Sequence, residues 1–394
     1  MKSTLVSFFN STNIGDLLIG EMLENIVSEY SEVKKISYSG AQKVQSDKSL
    51  NKKPLSLKVK IFIFDSLRKV GFGYLVNFYF ENIKKINLDV YEKEIIDSDL
   101  LVIGGGNMIF DLDKHSSSAK RFERFVEIAK KHNKKVFAIS LGIGPFYTEK
   151  QERNAVKALS NCEYITFRDE SSYEIFRKHN KEIHKNTYVS IDPVFMLPNS
   201  MGNNSNEKVI ALNIINNKLM KESEENYLKV INQYINLADS IVKKFNMKVA
   251  LFSTEIVDYS AVQDVYRGVI EKEKIIIVNI STQKELLEFY NQTLVLIGTR
   301  MHSMIIAFTQ GIPVIGLSWQ QKVDSMFKII ESEDSVFNYN EIDSKLEEII
   351  DCCKKKIDGQ KYEINRNKDT LRRVKTKMDI NHQILKELSS DNAI

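Results

Sequence analysis

The strongest chemical signal lies in segment 294–317, where an apolar stretch is followed directly by a guanidinium and an imidazole. The apolar residues predict a buried strand, Arg300 and His302 stand just after it, and a short helix is predicted over 302–310. Cations at a helix N-terminus favour phosphate or carboxylate ligands. We predict an anion site at Arg300 and His302, with Ser303 beside them. The alternative for His302 is a structural histidine.

Other candidate side chains also follow predicted strands. Asn13 and Asp16 come after the first one. Asn13 is predicted to contact substrate, and Asp16 either caps the following helix or contacts an acceptor hydroxyl. Arg168 follows another strand and either pairs with Asp169 or binds an anion. Lys322 lies just past a third strand and either joins the Arg300 site or is a solvated lysine.

Glycine is scarce, at 16 of 394 residues, so its clusters are informative. Gly104, Gly105 and Gly106 follow a strand predicted over 99–103. No complete dinucleotide-binding or P-loop pattern is present. The triple glycine predicts either a tight turn with close packing of a helix on a strand, or backbone contact with a phosphate or sugar.

Strands that alternate with amphipathic helices must position these side chains. This alternation predicts mostly parallel sheets covered on both faces. Residues 199–206 have the composition of a linker. They divide a predicted N-terminal domain, 1–198, from a predicted C-terminal domain, 207–340. Residues 341–394 are predicted to be a helical tail that packs along the outside, with the first domain as one surface for it. The predicted strands are 4–9, 33–38, 99–103, 135–140, 163–167 and 187–191, then 208–213, 247–252, 275–278, 294–297 and 313–317.

Composition narrows the class of protein. The 56 basic and 52 acidic residues give a formal net charge of +4, too dilute for a nucleic-acid surface. Three cysteines cannot form a disulfide framework, which indicates a reducing, cytoplasmic compartment. The sequence lacks a signal-peptide pattern and an apolar run long enough to span a membrane. Histidine and cysteine spacing matches no metal-binding motif, so we expect neither metal nor cofactor.

One aromatic segment, 70–80, is flanked by Arg68 and Lys69 on one side and by Lys84 and Lys85 on the other. This pattern fits a buried helix or a subunit contact. It also fits peripheral contact with the inner face of a membrane. Oligomer formation stays open at this stage.

Six motifs occur together in a fixed order over roughly residues 1–330. They are Asn13-x-Gly-Asp16, Val102-Ile-Gly-Gly-Gly106, Arg168-Asp169-Glu170-x-Ser172, Asp192-Pro193-Val-Phe195, Gly298-Thr-Arg300-Met-His302-Ser303, and Gly311-x-Pro313 with Lys322. Their order and spacing resemble those of the polysaccharide pyruvyl transferase family. The triple glycine is followed by Asn107, where the family often has a small residue.

The resemblance implies an α/β fold of two Rossmann-type parallel-sheet domains, glycosyltransferase-B-like, with the acceptor side in the first domain and the donor side in the second. It implies phosphoenolpyruvate as donor and a glycan acceptor, free or lipid-linked, that becomes a pyruvate ketal in cell-surface polysaccharide biosynthesis. It also implies that Arg168, Arg300 and His302 hold the donor.

The chemistry of that reaction suits these residues. Two guanidinium forks would clamp the phosphate and carboxylate of the donor, and Lys322 would add a point charge. Asp16 and His302 would supply acid and base, in either order, so no metal is required. Two alternatives remain: a nucleotide-sugar glycosyltransferase of the same architecture, and a non-catalytic scaffold.

Overall fold

The structure is a computed structural model of the 394-residue chain. It describes residues 1–38, 89–114, 116–180, 186–200, 207–217 and 223–391. The aromatic segment 70–80, for which membrane contact was one interpretation, lies outside the described residues.

Within the residues that the structure describes, there are two sheets of six parallel strands each, and the first has the order β2-β1-β3-β4-β5-β6. Its central strands are almost fully buried, as expected for a parallel sheet with helices on both faces. The strands are β1 Lys2–Ser7, β2 Glu32–Ser37, β3 Leu100–Asp111, β4 Lys135–Phe146, β5 Tyr164–Phe167 and β6 Thr187–Val189.

Two strands of this sheet run further than the sequence predicts. The predicted strand 99–103 continues as β3 to Asp111, and the predicted strand 135–140 continues as β4 to Phe146. Register shifts interrupt the pairing of these extensions. Such irregularities let a strand pass through residues that sequence patterns assign to a turn, so the prediction that β3 ends before the triple glycine is wrong.

The second sheet also has six parallel strands, in the order β12-β11-β10-β7-β8-β9. Read from β9, this is the Rossmann order, and the order reverses between β7 and β10. Ligands of open parallel sheets bind beyond the carboxyl ends of the strands at such a reversal. The strands are β7 Val209–Asn213, β8 Lys248–Phe252, β9 Ile275–Ile277, β10 Thr293–Gly298, β11 Val314–Ser318 and β12 Val336–Asn338.

Helices connect and cover the strands, and three of them form the predicted C-terminal helical region. Two short helices, α2 and α10, and the edge strand β12 are elements that the sequence patterns did not predict. No helix within the described ranges is long and apolar enough to cross a bilayer. The helices are α1 Ile14–Ser28, α2 Asp89–Ile96, α3 Ser118–Lys131, α4 Glu149–Leu159, α5 Glu170–His179, α6 Glu224–Phe245, α7 Tyr259–Gly268, α8 Gln283–Tyr290, α9 Met301–Thr309, α10 Gln321–Ile329, α11 Leu346–Asp358, α12 Gln360–Thr376 and α13 Asp379–Asp391.

The chain divides into two compact units, neither of which is continuous in sequence. The first consists of Met1–Ser11, Ile19–Pro193 and Met378–Ile394, and the second of Thr12–Leu18 and Val194–Lys377. The predicted ranges 1–198, 207–340 and 341–394 differ from these units at three places: Thr12–Leu18 belong to the second unit, the second unit resumes at Val194, and the C-terminal helical region is divided between the units at Lys377. The acceptor and donor labels of the two domains stay predictions.

A buried polar network fixes α13 within the first unit. The Asn381 amide is fully buried; its Oδ1 accepts a hydrogen bond from Thr166 Oγ1 at 2.7 Å. Its Nδ2 donates to Ser140 Oγ and Ser190 Oγ, both at 2.9 Å. Thr166 Oγ1 in turn accepts the backbone N–H of Ser140. One side chain thus satisfies hydroxyls from β4, from β5 and from the loop after β6.

Replacing the Asn381 side chain should destabilise the protein markedly. We expect Asn381→Ala to lower the free energy of unfolding by about 2–4 kcal/mol, because three buried hydroxyls each lose a hydrogen bond to the amide. Chemical denaturation measures the change. Gln383→Ala, at an exposed position of the same helix, is the control and should change stability by less than about 0.5 kcal/mol. Equal stability of the two variants would contradict the prediction.

Candidate functional site

The reversal point of the second sheet carries Arg300 and His302. β10 is buried throughout, and Arg300 precedes α9, so its side chain leaves the carboxyl end of a central strand. The Arg300 backbone N–H donates to Asn213 Oδ1, at the end of β7, at 3.0 Å. This contact joins the two strands between which the strand order changes. The fold therefore places both predicted residues where parallel sheets bind ligands.

Arg300 is held by a buried carboxylate. Its Nε and Nη2 donate to the two oxygens of Asp258 at 2.7 and 2.9 Å, and Asp258 also accepts the backbone N–H of Asn216. Asp258 is fully buried, whereas the Arg300 side chain is 19% exposed. Burial acts to lower the pKa of Arg300, but the hydrogen bonds and charge of Asp258 outweigh it and the pKa is raised.

This pair changes the predicted mode of donor binding. The Nε/Nη2 edge of the guanidinium is the fork that best matches a carboxylate or phosphate, and Asp258 occupies it. The Nη1 side remains for a ligand. Asp258 thus fixes the orientation of Arg300. The donor clamp by Arg300 stays a prediction.

His302 lies in the first turn of α9 and faces the start of α1. Its Nδ1 is 3.8 Å from Asp16 Oδ1, and the two side chains are 13% and 28% exposed. Gly15 lies against the imidazole, since a Cβ there would come within 2.2 Å of His302 Cβ. The sequence predicted both groups, and the structure brings them to ion-pair distance within the second unit.

The segment Thr12–Leu18 is anchored to the second unit by backbone and side-chain contacts. Asn13 forms an antiparallel bridge with Glu255, and the Ile14 N–H donates to Thr254 O at 3.3 Å. Asn13 Oδ1 accepts the Gly15 N–H at 2.8 Å, so Asn13 makes the capping contact at the start of α1, while Asp16 lies inside the first turn. Asn13 therefore has a structural role here, and its part in substrate binding stays a prediction.

Glu255 is a candidate that the sequence reasoning missed. It follows β8, and its Oε1 accepts a hydrogen bond from Thr12 Oγ1 at 2.8 Å. Burial raises the pKa of Glu255, and the charges of Asp258 and Asp16 raise it further, against opposing effects of Thr12 and Arg300. The position just beyond a strand end, which singled out Asp16, is the signal that could have identified it.

Lys322 lies in the first turn of α10 and is held over an indole ring. Its Nζ is 5.1 Å from the centroid of Trp319, a cation–π distance. Trp319 Nε1 donates to Thr299 O at 3.1 Å, and Thr299 precedes Arg300. The lysine is therefore tied through Trp319 to the strand end that carries Arg300.

Ser303 is not at the surface of this cluster. It is fully buried, and its hydroxyl is 2.8 Å from the Tyr290 hydroxyl, which also donates to Ser303 O. Burial raises the pKa of Tyr290, so the phenol remains a hydrogen-bond donor. These hydrogen bonds join α9 to α8 through Ser303, and its contact with substrate stays a prediction.

The triple glycine lies inside β3 and serves packing. A Cβ at Gly104 would come within 2.1 Å of Ile139 O in β4, and one at Gly105 within 2.2 Å of an Ile19 methyl in α1. Gly105 and Gly106 have φ values of +77° and +71°, a region that favours glycine. These contacts match the packing alternative stated from the sequence; substrate contact by the three glycines stays a prediction.

Arg168 belongs to the first unit and is buried at the end of β5. Its Nε and Nη1 are 3.3 Å from Asp169 Oδ2 and Asp192 Oδ2, and all three side chains are at most 7% exposed. A Cβ at Gly142 would collide with the guanidinium at 2.5 Å. The local pair with Asp169 exists, but it is buried and shared with the second aspartate.

Within the part of the chain that the structure describes, no group of three or more histidine, cysteine, aspartate or glutamate side chains is arranged to hold a metal ion.

Comparison with solved structures defines the fold class. The chain resembles Anabaena HepE, solved with UDP and glucose, with a TM-score of 0.57, 10% identity, and coverage of 99% of this chain and 100% of that one. A glycosyltransferase from Rickettsia africae matches with a TM-score of 0.56 and 11% identity, and the match covers 98% of this chain and 98% of that one. The UDP-GlcNAc 2-epimerase of Methanocaldococcus jannaschii matches with a TM-score of 0.52 and 11% identity, and the match covers 91% of this chain and 93% of that one. With its two six-stranded parallel sheets, the protein has a glycosyltransferase-B-like fold, as predicted.

Sequence comparison then assigns the family. The profile of the polysaccharide pyruvyl transferases matches residues 13–321, from Asn13 to the beginning of α10. The chain therefore belongs to the polysaccharide pyruvyl transferase family, which confirms the resemblance noted from its motifs. None of the curated proteins matches the chain significantly.

Proposed function

We propose that this protein transfers pyruvate from phosphoenolpyruvate to two hydroxyls of a glycan, forming a pyruvate ketal and releasing phosphate. Family membership makes it a polysaccharide-modifying transferase. The observation that carries the finer proposal is the grouping of Asp16, His302 and Arg300 at the reversal point of the second sheet.

The donor is an anion at two positions, its phosphate and its carboxylate. In this proposal the Nη1 side of Arg300 and the N-terminus of α9 bind one anionic group. Lys322, held on Trp319, adds a second cation. Arg168 remains a donor-binding residue in the proposal because of its sequence motif.

Asp16 and His302 form a carboxylate–imidazole pair in which each has a separate role. In this proposal the Asp16 carboxylate, 3.8 Å from Nδ1, favours the ring orientation in which Nδ1 faces it and Nε2 faces the substrate. As the first hydroxyl adds to C2 of the donor, Nε2 accepts its proton. When the C2–O bond to phosphate breaks, the imidazolium returns that proton to the departing phosphate.

Donor binding gives a direct test. We expect phosphoenolpyruvate to raise the melting temperature, because a ligand at a hundred times its Kd stabilises the folded state by about 2.7 kcal/mol. UDP-sugars at equal concentration serve as the comparison and should leave the melt unchanged. Stabilisation by a nucleotide sugar alone would overturn the proposal in favour of a glycosyltransferase. Phosphate release with a panel of free and lipid-linked glycans then identifies the acceptor.

A further inference from the structure

Glu255 lies beside the segment that carries the Asp16 carboxylate. It stands after β8, which is next to β7 in the sheet order, and its backbone pairs with Asn13. The Thr12 hydroxyl donates to its Oε1 at 2.8 Å. Three residues later Asp258 holds Arg300. Glu255 therefore contacts the segment that carries Asp16 and stands three residues before the aspartate that binds Arg300.

The Thr12 hydroxyl engages Oε1 of Glu255, which leaves Oε2 as the carboxyl oxygen outside that hydrogen bond. Arg300 is the cation that acts on Glu255, but its Nε/Nη2 edge is engaged by Asp258. Asp16 and Asp258 add negative charge nearby. Such surroundings disfavour a further carboxylate charge and favour the protonated form.

The proposed reaction needs a proton that the Asp16–His302 pair does not supply. Two hydroxyls lose a proton each, one proton ends on the methyl carbon and one on phosphate. His302 moves only the proton that passes from the first hydroxyl to phosphate. A second group must protonate the methylene carbon and regain a proton from the second hydroxyl.

We propose that Glu255 is that group, a catalytic acid and then base of the proposed pyruvyl transfer, on which this inference rests. Its carboxyl proton bonds to the methylene carbon as the C2–C3 π electrons form the new C–H bond. C2 then bonds the first hydroxyl oxygen, and phosphate leaves with the C2–O electron pair. The second hydroxyl oxygen closes the ketal and returns its proton to the Glu255 carboxylate. No oxidant or reductant is required.

The first test is Glu255→Gln, which keeps an oxygen to accept the Thr12 hydroxyl but cannot donate an acidic proton. Phosphate release at saturating phosphoenolpyruvate and glycan should fall by about 10²–10⁴-fold, the range for loss of a general acid. The donor-induced rise in melting temperature should persist. Glu273→Gln, at an exposed position in the same unit, is the control and should behave as wild type.

The second test uses the pH dependence of turnover. Glu255 must be protonated to act, so turnover should fall as pH rises through its pKa, which burial has raised. Thr12→Val removes a hydrogen bond that lowers this pKa, so the alkaline decline should move to higher pH. The groups that act on Glu255 are the Thr12 hydroxyl, Asp16, Asp258 and Arg300. Glu255→Gln should abolish that decline.

The outcomes separate this inference from the proposed function. If the wild-type protein releases phosphate and Glu255→Gln is equally active, the role of Glu255 is refuted and the proposed pyruvyl transfer stands. An alkaline decline that Thr12→Val does not move would also refute it. A wild-type protein that neither binds phosphoenolpyruvate nor releases phosphate with any glycan would overturn both proposals.

Discussion

His302→Ala should reduce turnover by about 10²–10⁴-fold at saturating donor and acceptor, the range for loss of a general acid or base. The imidazole faces Asp16 on one side, and in the proposed reaction its other nitrogen moves the proton from hydroxyl to phosphate. Its side chain is 13% exposed and lies in the first turn of α9, beyond the carboxyl end of β10. The thermal melt should therefore change little. Phosphate release and a circular dichroism melt measure the two effects.

A matched control is His132→Ala, in the first unit, where the histidine pairs with Glu92 at a helix end. It should retain wild-type turnover. Near-normal turnover of His302→Ala would make His302 a packing residue, and the proton carrier would have to be another group of the cluster.

Gly15→Ala should have the next largest effect on turnover. An added Cβ would lie 2.2 Å from His302 Cβ, a distance at which one of the two groups must move. Displacement of a reacting group by about 1 Å can cost roughly 10²-fold in rate. We expect a loss of that order in phosphate release, although alanine is the better helix former.

Gly20→Ala separates this effect from helix propensity. Gly20 lies in the same helix, and its Cβ would contact ring atoms of Phe9 at 3.0 Å, within the first unit. The variant gains the same helix propensity and should keep wild-type turnover. If Gly15→Ala and Gly20→Ala are equally active, the fit of Gly15 against His302 does not matter for the reaction.

The fold follows largely from local sequence patterns. Alternation of apolar strands and amphipathic helices is a short-range property, and it predicted parallel sheets because only crossover helices connect such strands. It failed at β3, where glycines with positive φ continue a strand that the pattern ends. A glycine run has the same sequence whether it turns or is packed between a helix and a strand.

The sequence predicted individual residues of the candidate site, but it did not predict which side chains bind one another. Arg300, His302 and Asp16 were found because each follows a predicted strand. The Asp258 partner of Arg300 and the Thr12 partner of Glu255 are far away in sequence, and only the order of strands in the folded sheet brings them together. Neighbours in sequence can also have different partners: His302 faces Asp16, whereas the adjacent Ser303 bonds Tyr290, because consecutive residues of a helix point to different sides.

The return of α13 to the first unit affects how the protein is made. The ribosome must translate Val194–Lys377, nearly the whole second unit, before Asn381 can emerge. Until then Thr166, Ser140 and Ser190 lack the amide that binds their hydroxyls in the folded protein. Domains usually fold in order as they leave the ribosome. Here the first unit reaches its final hydrogen bonding only after the second has been synthesised, so nascent chains stalled between the two should be protease-sensitive in the first unit.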